Sequence, residues 1–311
     1  MKLLDGKTLA AKIKEELKTE VIKLINNGIV PNLGVILVGD FAPSVIYVRN
    51  KETACAEVGI KTQTLRLKDD ISEARLLEII DNWNKDNNIH GILVQMPLPQ
   101  HINSQKVLDT IRADKDVDGL SASNLGHLIS NRSDAIEPLF YPCTPSGIIE
   151  LLVHNQIMIE GKHCVIIGRG ELVGKPLANM LLAKQMTLSL NHKKHPINAT
   201  VTICHSKTPN IANFTRQADI LIVAIGKPKF VKKDMVKPDA VVIDVGVNRI
   251  QLNNRVPPTT KIVGDVDFEE VSTVASAITP VPGGVGPMTV AMLLKNSVKA
   301  AKQHLKNLKG N

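Results

Sequence analysis

Tyr47 and Lys51 stand four residues apart in the segment SVIYVRNK at 44–51. On a helix, positions i and i+4 share a face, so phenol and ammonium project toward one ligand. A surface cation beside a half-buried tyrosine has the same spacing, and the pair alone does not decide between the two. Further along, an apolar run at 91–95 ends in Gln95 and the turn Met96, Pro97, Leu98, Pro99. Parallel sheets place ligands at the carboxyl ends of their strands, which makes Gln95 a candidate hydrogen-bonding group. The run Asp114, Lys115, Asp116, Val117, Asp118, Gly119 offers carboxylates, and a helix-terminating loop has the same composition.

A second constellation follows the apolar run at 163–167: Gly168, Arg169, Gly170, Glu171, Leu172, Val173, Gly174, Lys175, Pro176, then a helical pattern. Glycines in such a loop permit a tight turn off a strand, close approach of the backbone to a pyrophosphate, and close packing of strand and helix. The spacing is one residue longer than the usual dinucleotide fingerprint, and an ordinary strand-to-helix turn is the competing reading. An NAD site normally carries Asp or Glu after the next strand, to hold the ribose 2′-hydroxyl. Here the run at 200–204 is followed by His205, Ser206, Lys207 and Thr208. With Arg169, these cations and hydroxyls suit a 2′-phosphate, so NADP is expected over NAD, although Ser and Lys are also common in surface turns.

The elements that position these groups alternate. Leu9, Ile13, Leu17, Val21, Leu24 and Ile25 recur at helical spacing and stop before Gly28. Short apolar runs bounded by Gly or Pro occur at 33–38, 61–67, 91–95, 163–167, 200–204, 220–225 and 240–245, with helical patterns at 44–58, 72–85, 145–155, 174–184 and 210–217. Apolar strands alternating with helices predict an α/β protein with largely parallel sheets covered on both faces. The 311-residue length suits two domains. The Ser-, Asn- and Pro-rich stretch at 120–145 marks the boundary, and the final helix is expected to return to the first domain. The expected division is 1–143 plus a returning helix at 286–311, against 144–285.

Composition removes several classes. No run approaches the roughly 18 to 20 apolar residues of a membrane span. Asp5, Lys7 and Lys12 interrupt the N-terminus before a signal-peptide core can form, so the expected address is cytoplasmic. The net charge of +8 invites a nucleic-acid partner, but Lys295, Lys299, Lys302, Lys306 and Lys309 carry five of those charges at helical spacing. They are expected to form one solvated stripe on the last helix. Aromatic residues make up only 3%, which leaves little for base stacking, and no nucleic acid is expected. Cys55, Cys143, Cys164 and Cys204 form no CxxC pair and sit among apolar neighbours, which predicts reduced core thiols rather than a zinc ribbon or disulfide scaffold. His192 and His195, in NHKKHP, mark a polar loop rather than a metal site, and no metal is expected.

Taken together, the residues at 47–51 (YVRNK), 92–99 (ILVQMPLP), 114–119 (DKDVDG), 142–147 (PCTPSG), 168–176 (GRGELVGKP), 204–208 (CHSKT), 242–249 (VIDVGVNR) and 280–289 (PVPGGVGPMT) resemble the bifunctional methylenetetrahydrofolate dehydrogenase/methenyltetrahydrofolate cyclohydrolase family. The resemblance runs from about residue 3 to about residue 305. It implies an N-terminal α/β substrate domain, a Rossmann-like NADP domain, a cleft between them, and a homodimer. NADP would accept hydride from the one-carbon bridge of 5,10-methylenetetrahydrofolate, and water would open the methenyl product to 10-formyltetrahydrofolate. Lys51 would be the main catalytic group and Tyr47 would stack on the folate. Gln95 would hydrogen-bond Lys51, and Asp118 would anchor the pterin. Val94, Pro282, Gly283 and Gly284 would line the folate side, while Gly168, Arg169, Gly170, Gly174, Ser206, Lys207 and Val247 would meet NADP. A short-chain dehydrogenase also pairs Tyr with Lys, but places them after its glycine motif; here they precede it by more than 100 residues.

Three departures from the family pattern stand out. Members commonly have Ser at the position of Gly170, which here removes a hydroxyl donor. They often have His-Pro where this chain has Ser121 and Ala122, and residues 188–199 read as a solvent-facing insertion.

Overall fold

The computed structural model describes residues 1–129, 139–187, 194–252 and 259–310. The chain separates into two compact units, Ala11–Cys143 with Val290–Asn311, and Met1–Ala10 with Thr144–Thr289.

The first of these units is built on a three-stranded parallel sheet in the order Lys61–Leu67, Asn32–Val38, Gly91–Val94. Parallel neighbours need crossover connections, and the helices Ala42–Val58 and Glu73–Lys85 supply them. Pro43 lies in the first turn of Ala42–Val58, where its missing N–H costs nothing, and Gly59 ends the helix in the left-handed region at φ 83°. Ser72 caps Glu73–Lys85, its hydroxyl accepting the Arg75 N–H at 3.3 Å. Ile36, Val38, Leu76, Ile80, Trp83, Ile92 and Val94 pack between sheet and helix. Each such side chain contributes roughly 1.5–3 kcal/mol by leaving water.

The last helix, Val285–Leu308, adds its later turns to this unit. Asn296 is buried there and its Nδ2 donates to the carbonyls of Val117 at 2.8 Å and Tyr141 at 3.1 Å. The lysine stripe differs from the solvated face expected of it. Lys295, Lys299 and Lys302 are half-buried; Lys302 pairs with Glu20 at 2.7 Å, and the Lys299 ammonium lies 5.6 Å from the Phe140 ring centroid. Only Lys306 and Lys309 of the five are exposed, because the long aliphatic stems cover apolar surface.

The second unit carries a six-stranded sheet in the order Lys2–Leu3, Ala277–Ile278, Val241–Asp244, Ile220–Val223, His163–Ile167, Thr200–Cys204, with every neighbouring pair parallel. Val165, Ile167, Leu221, Val223, Val242 and Ile278 form its core. Met1–Ala10 falls in this unit, whereas the expected division put residues 1–143 together in the first domain. Lys2–Leu3 pairs with Ala277–Ile278, and the Leu4 N–H donates to the Ile278 carbonyl at 2.9 Å. A two-residue strand is too short to carry a period. The expected return at 286 also differs from the observed one, since residues through Thr289 stay with this unit, where Thr289 and Thr144 share a hydroxyl–hydroxyl bond of 2.9 Å.

The expected insertion falls partly within the described residues. Gln185–Thr187 pairs antiparallel with Lys194–Pro196, while 188–193, including His192, lie outside the described residues. Ile197 and Ala199 are buried, so the end of the segment is core rather than solvent-facing. A second antiparallel pair joins Asn248–Leu252 to Thr259–Val263. All four cysteines are free and buried, and burial pushes Cys55 and Cys164 up to about 12, which keeps those thiols protonated. Among the described residues, no helix is long and apolar enough to cross a membrane.

Candidate functional site

The Ala42–Val58 helix and the carboxyl end of Gly91–Val94 bring Lys51 to Gln95. Lys51 Nζ donates to Gln95 Oε1 at 3.0 Å, and Gln95 Nε2 donates to the Met96 carbonyl at 2.6 Å. The second bond fixes which end of the amide faces the lysine, so Gln95 presents an acceptor to Lys51. Tyr47 is 40% exposed one helical turn away, on the face it shares with Lys51. Val94, expected on the folate side, has its side chain in the core at 3% exposure, so it supports Gln95 from beneath.

Asp118 reaches this group because Asp116 organises the loop. The buried Asp116 carboxylate accepts from the N–H groups of Gly119 at 3.1 Å and Ser121 at 2.8 Å, and from Asn124 Nδ2 at 2.9 Å. Lys115 is structural, its ammonium donating to the carbonyls of Trp83 at 2.9 Å and Asp86 at 2.6 Å. The Ile92 N–H donates to the Lys115 carbonyl at 2.7 Å, laying the loop beside the Gly91–Val94 strand. Loss of water raises the Asp118 carboxyl above the ordinary carboxylate range, opposed by the charge of Lys51. Ser121, one of the departures, accepts the Asn124 N–H at 3.4 Å at the start of the Ala122–Ile129 helix and leaves Asp118 where the loop puts it.

In the other unit, the chain leaves His163–Ile167 toward Thr200–Cys204 on one side, then continues on the other side with Ile220–Val223. The strand order therefore reverses at His163–Ile167, the position at which open parallel sheets bind ligands. A cavity of about 290 Å³ lies there, lined by Ile167, Gly168, Arg169, His205, Ser206, Ile211, Ala224, Ile225, Lys227 and Phe230. Gly168 makes the turn at φ 122°, and a Cβ on it would collide with the Ala224 carbonyl oxygen. A Cβ on Gly174, where the helix Gly174–Leu182 begins, would collide with the Gly168 carbonyl oxygen. Gly170 has open space around its Cβ direction. The His205 turn is rigid: its N–H donates to Thr208 Oγ1 at 3.0 Å, and its Nδ1 accepts the Lys207 N–H at 3.2 Å. That bond leaves Nε2 as the proton-bearing nitrogen of the neutral ring.

The residues fit the adenosine half of a dinucleotide phosphate. Ile211, Ile225 and Phe230 offer an apolar slot for a base, while Arg169, Ser206 and Lys227 offer charge and a hydroxyl to a phosphate. Of the residues expected to meet NADP, Gly168, Arg169 and Ser206 line the cavity, while Gly170, Gly174, Lys207 and Val247 do not. Lys207 is exposed on the turn, and Lys227 is the lining lysine in its stead. The signal for Lys227 was its place just after Ile220–Val223, at the same sheet edge as the glycine loop. Pro282, Gly283 and Gly284 belong to this unit and pack at the start of the first long helix, where the Lys7 N–H donates to the Gly283 carbonyl at 2.9 Å.

Residues 4–118 match the family described as "Tetrahydrofolate dehydrogenase/cyclohydrolase, catalytic domain", and residues 142–305 match its "NAD(P)-binding domain". A protein named "Bifunctional protein FolD" from Campylobacter hominis is 50% identical over 99% of this chain and 100% of its own. One of the same name from Acetivibrio thermocellus is 50% identical over 98% of each. Among solved structures, the bifunctional FolD dehydrogenase/cyclohydrolase of Campylobacter jejuni superposes with a TM-score of 0.87 at 48% identity, covering 97% of this chain and 99% of that one. The Trypanosoma brucei methylenetetrahydrofolate dehydrogenase-cyclohydrolase, complexed with NADP and an inhibitor, does so with a TM-score of 0.86 at 37% identity, covering 97% of both. With both of its units matched and half of its residues shared with relatives over nearly the full length, this chain belongs to the tetrahydrofolate dehydrogenase/cyclohydrolase family.

Proposed function

We propose that this chain oxidises 5,10-methylenetetrahydrofolate to the 5,10-methenyl cation with NADP as acceptor, and hydrolyses that cation to 10-formyltetrahydrofolate, with Lys51 as the catalytic group shared by the two reactions. The observation that carries the assignment of Lys51 is its 3.0 Å bond to a Gln95 amide that Met96 holds in one orientation. NADP, when bound, supplies the hydride acceptor. The folate nitrogens already stabilise the cation that hydride loss creates, so the protein's task in that step is alignment of the reacting atoms. Tyr47 offers a flat, half-exposed ring for the folate to stack on, and Asp118 a carboxyl to hydrogen-bond the pterin.

Hydrolysis needs a base. Water adds to the methenyl carbon and gives up one proton; the hydroxyl proton of the adduct then passes to N5 as the carbon–nitrogen bond to N5 breaks, and N10 keeps the formyl group. Lys51, held in place by Gln95, takes the proton from that water. Arg169 and Ser206 hold the cofactor's 2′-phosphate, with the backbone of Gly168 close to the pyrophosphate. The reading includes a cytoplasmic homodimer, supported by the motifs that carry the family resemblance.

The test is Lys51→Met, which keeps the apolar stem and removes the amine. Hydrolysis of the methenyl compound should fall by roughly 10² to 10⁴-fold, the usual cost of losing a general base, with smaller loss of dehydrogenase activity. Calorimetry should show NADP bound as in the parent. A folded Lys51→Met protein that hydrolyses the methenyl compound at the parent rate would remove Lys51 from the mechanism.

A further inference from the structure

The cavity at the sheet edge is walled on one side by the segment after Ile220–Val223, and what holds that segment is a buried carboxylate far away in the sequence. Asp265 is fully buried. Its Oδ2 accepts the N–H groups of Ile225 at 2.7 Å and Gly226 at 2.9 Å, and its Oδ1 accepts Asn248 Nδ2 at 2.9 Å. One side chain thus ties the segment after Ile220–Val223 to the start of Asn248–Leu252. Ile225 lines the cavity, and Asn248 follows Val247.

Asp265 is itself held in place. Asp244 Oδ1 accepts the Asp265 N–H at 2.9 Å and the Gly246 N–H at 3.0 Å, Asp244 Oδ2 accepts the Val266 N–H at 2.9 Å, and the Asp244 N–H donates to Thr279 Oγ1 at 2.7 Å. Gly246 has to be glycine, since a Cβ there would overlap the Asp265 carboxylate. Two carboxylates this deeply buried are costly unless each finds donors. Both of Asp265's oxygens spend their bonds on the segments beside the cavity. A ligand-binding wall needs a fixed backbone, and these bonds fix the backbone at Ile225 and Gly226.

We infer that Asp265 is a positioning residue for cofactor binding: through Ile225, Gly226 and Asn248 it presets the cavity wall against which the adenosine half of NADP packs. The inference rests on the reading of that cavity as the NADP site. Charge-assisted bonds from a carboxylate to backbone N–H groups are about twice as strong as neutral ones, so the acid, rather than its amide, is needed.

Asp265→Asn and Asn248→Ala test it. In the absence of cofactor, amide hydrogen exchange at Ile225 and Gly226 should speed up at least tenfold in Asp265→Asn. The calorimetric Kd for NADP should rise about tenfold in that variant and about threefold in Asn248→Ala. The KM for NADP should rise by a larger factor than kcat falls. Combining Asp265→Asn with Asn248→Asp exchanges donor and acceptor across the bridge and should recover part of the affinity. If Asp265→Asn does not fold, Asn248→Ala carries the test alone, and an unchanged Kd there overturns the inference. Unchanged exchange and unchanged Kd in a folded Asp265→Asn protein overturn it as well. If the parent protein fails to bind NADP at all, the reading of the cavity fails instead.

Discussion

The glycine loop offers a quantitative test, because its first two glycines have opposite surroundings. Gly168 turns at φ 122°, its N–H donates to the Cys204 carbonyl at 2.8 Å, and an added Cβ would strike the Ala224 carbonyl, whose carbon is 3.0 Å from the Cβ position. In Gly168→Ala, the disfavoured backbone conformation costs about 1–3 kcal/mol and the displaced wall a similar amount. The stiffer unfolded chain returns roughly 0.4–1 kcal/mol. The net expected loss is about 1 to 5 kcal/mol. Gly170 meets nothing within 4 Å, so Gly170→Ser should leave stability within about 0.5 kcal/mol. Trp83, the one tryptophan, lies in the other unit, so its fluorescence reports first on that unit. Urea unfolding followed by far-ultraviolet circular dichroism should show an early transition in Gly168→Ala that tryptophan fluorescence does not track. NADP should bind Gly168→Ala at least tenfold more weakly by calorimetry, and Gly170→Ser at least as tightly as the parent. Equal unfolding curves and equal affinities for Gly168→Ala and the parent would refute the steric argument.

Two further outcomes are expected. Ser206→Asp sets a carboxylate where the 2′-phosphate is read to sit, so the Kd for NADP should rise more than that for NAD, and an equal loss for both would remove Ser206 from cofactor selection. His90 is buried, accepts the Asn32 N–H on Nδ1 at 3.1 Å, and is pushed down to about 4, first by burial and then by His304 and Lys115. Its folded value lies below its unfolded one, so the unfolded chain takes the proton first and stability falls as pH drops from about 6.5 toward 4. Between pH 7 and 5 that loss is about 2 kcal/mol, read from urea midpoints by Trp83 fluorescence, and His90→Gln should remove most of it.

Local spacing determined the class, and the motifs' resemblance to a family supplied the roles expected of the site residues. The alternation of apolar runs with helical patterns is a property of neighbours in sequence, and it located the long helices and the central strands of each sheet. The Tyr47–Lys51 pairing follows from 3.6 residues per turn, and the glycine loop was legible because a tight turn off a strand tolerates few other residues at Gly168 and Gly174. Tertiary structure decided everything that depends on residues far apart in the chain. Whether Lys207 or Lys227 lines the cavity depends on which turn the sheet order sets beside the glycine loop. Lys2–Leu3 is a strand only because Ala277–Ile278 offers it an edge, and the half-buried lysines of the last helix are set by Phe140 and Glu20. Val94 was expected on the folate side from the family resemblance, and its side chain lies in the core with those of its strand. Asp265 carried no signal at all: an acid in GDVD looks like any loop, and its role arises from three donors contributed by segments 17 to 40 residues away.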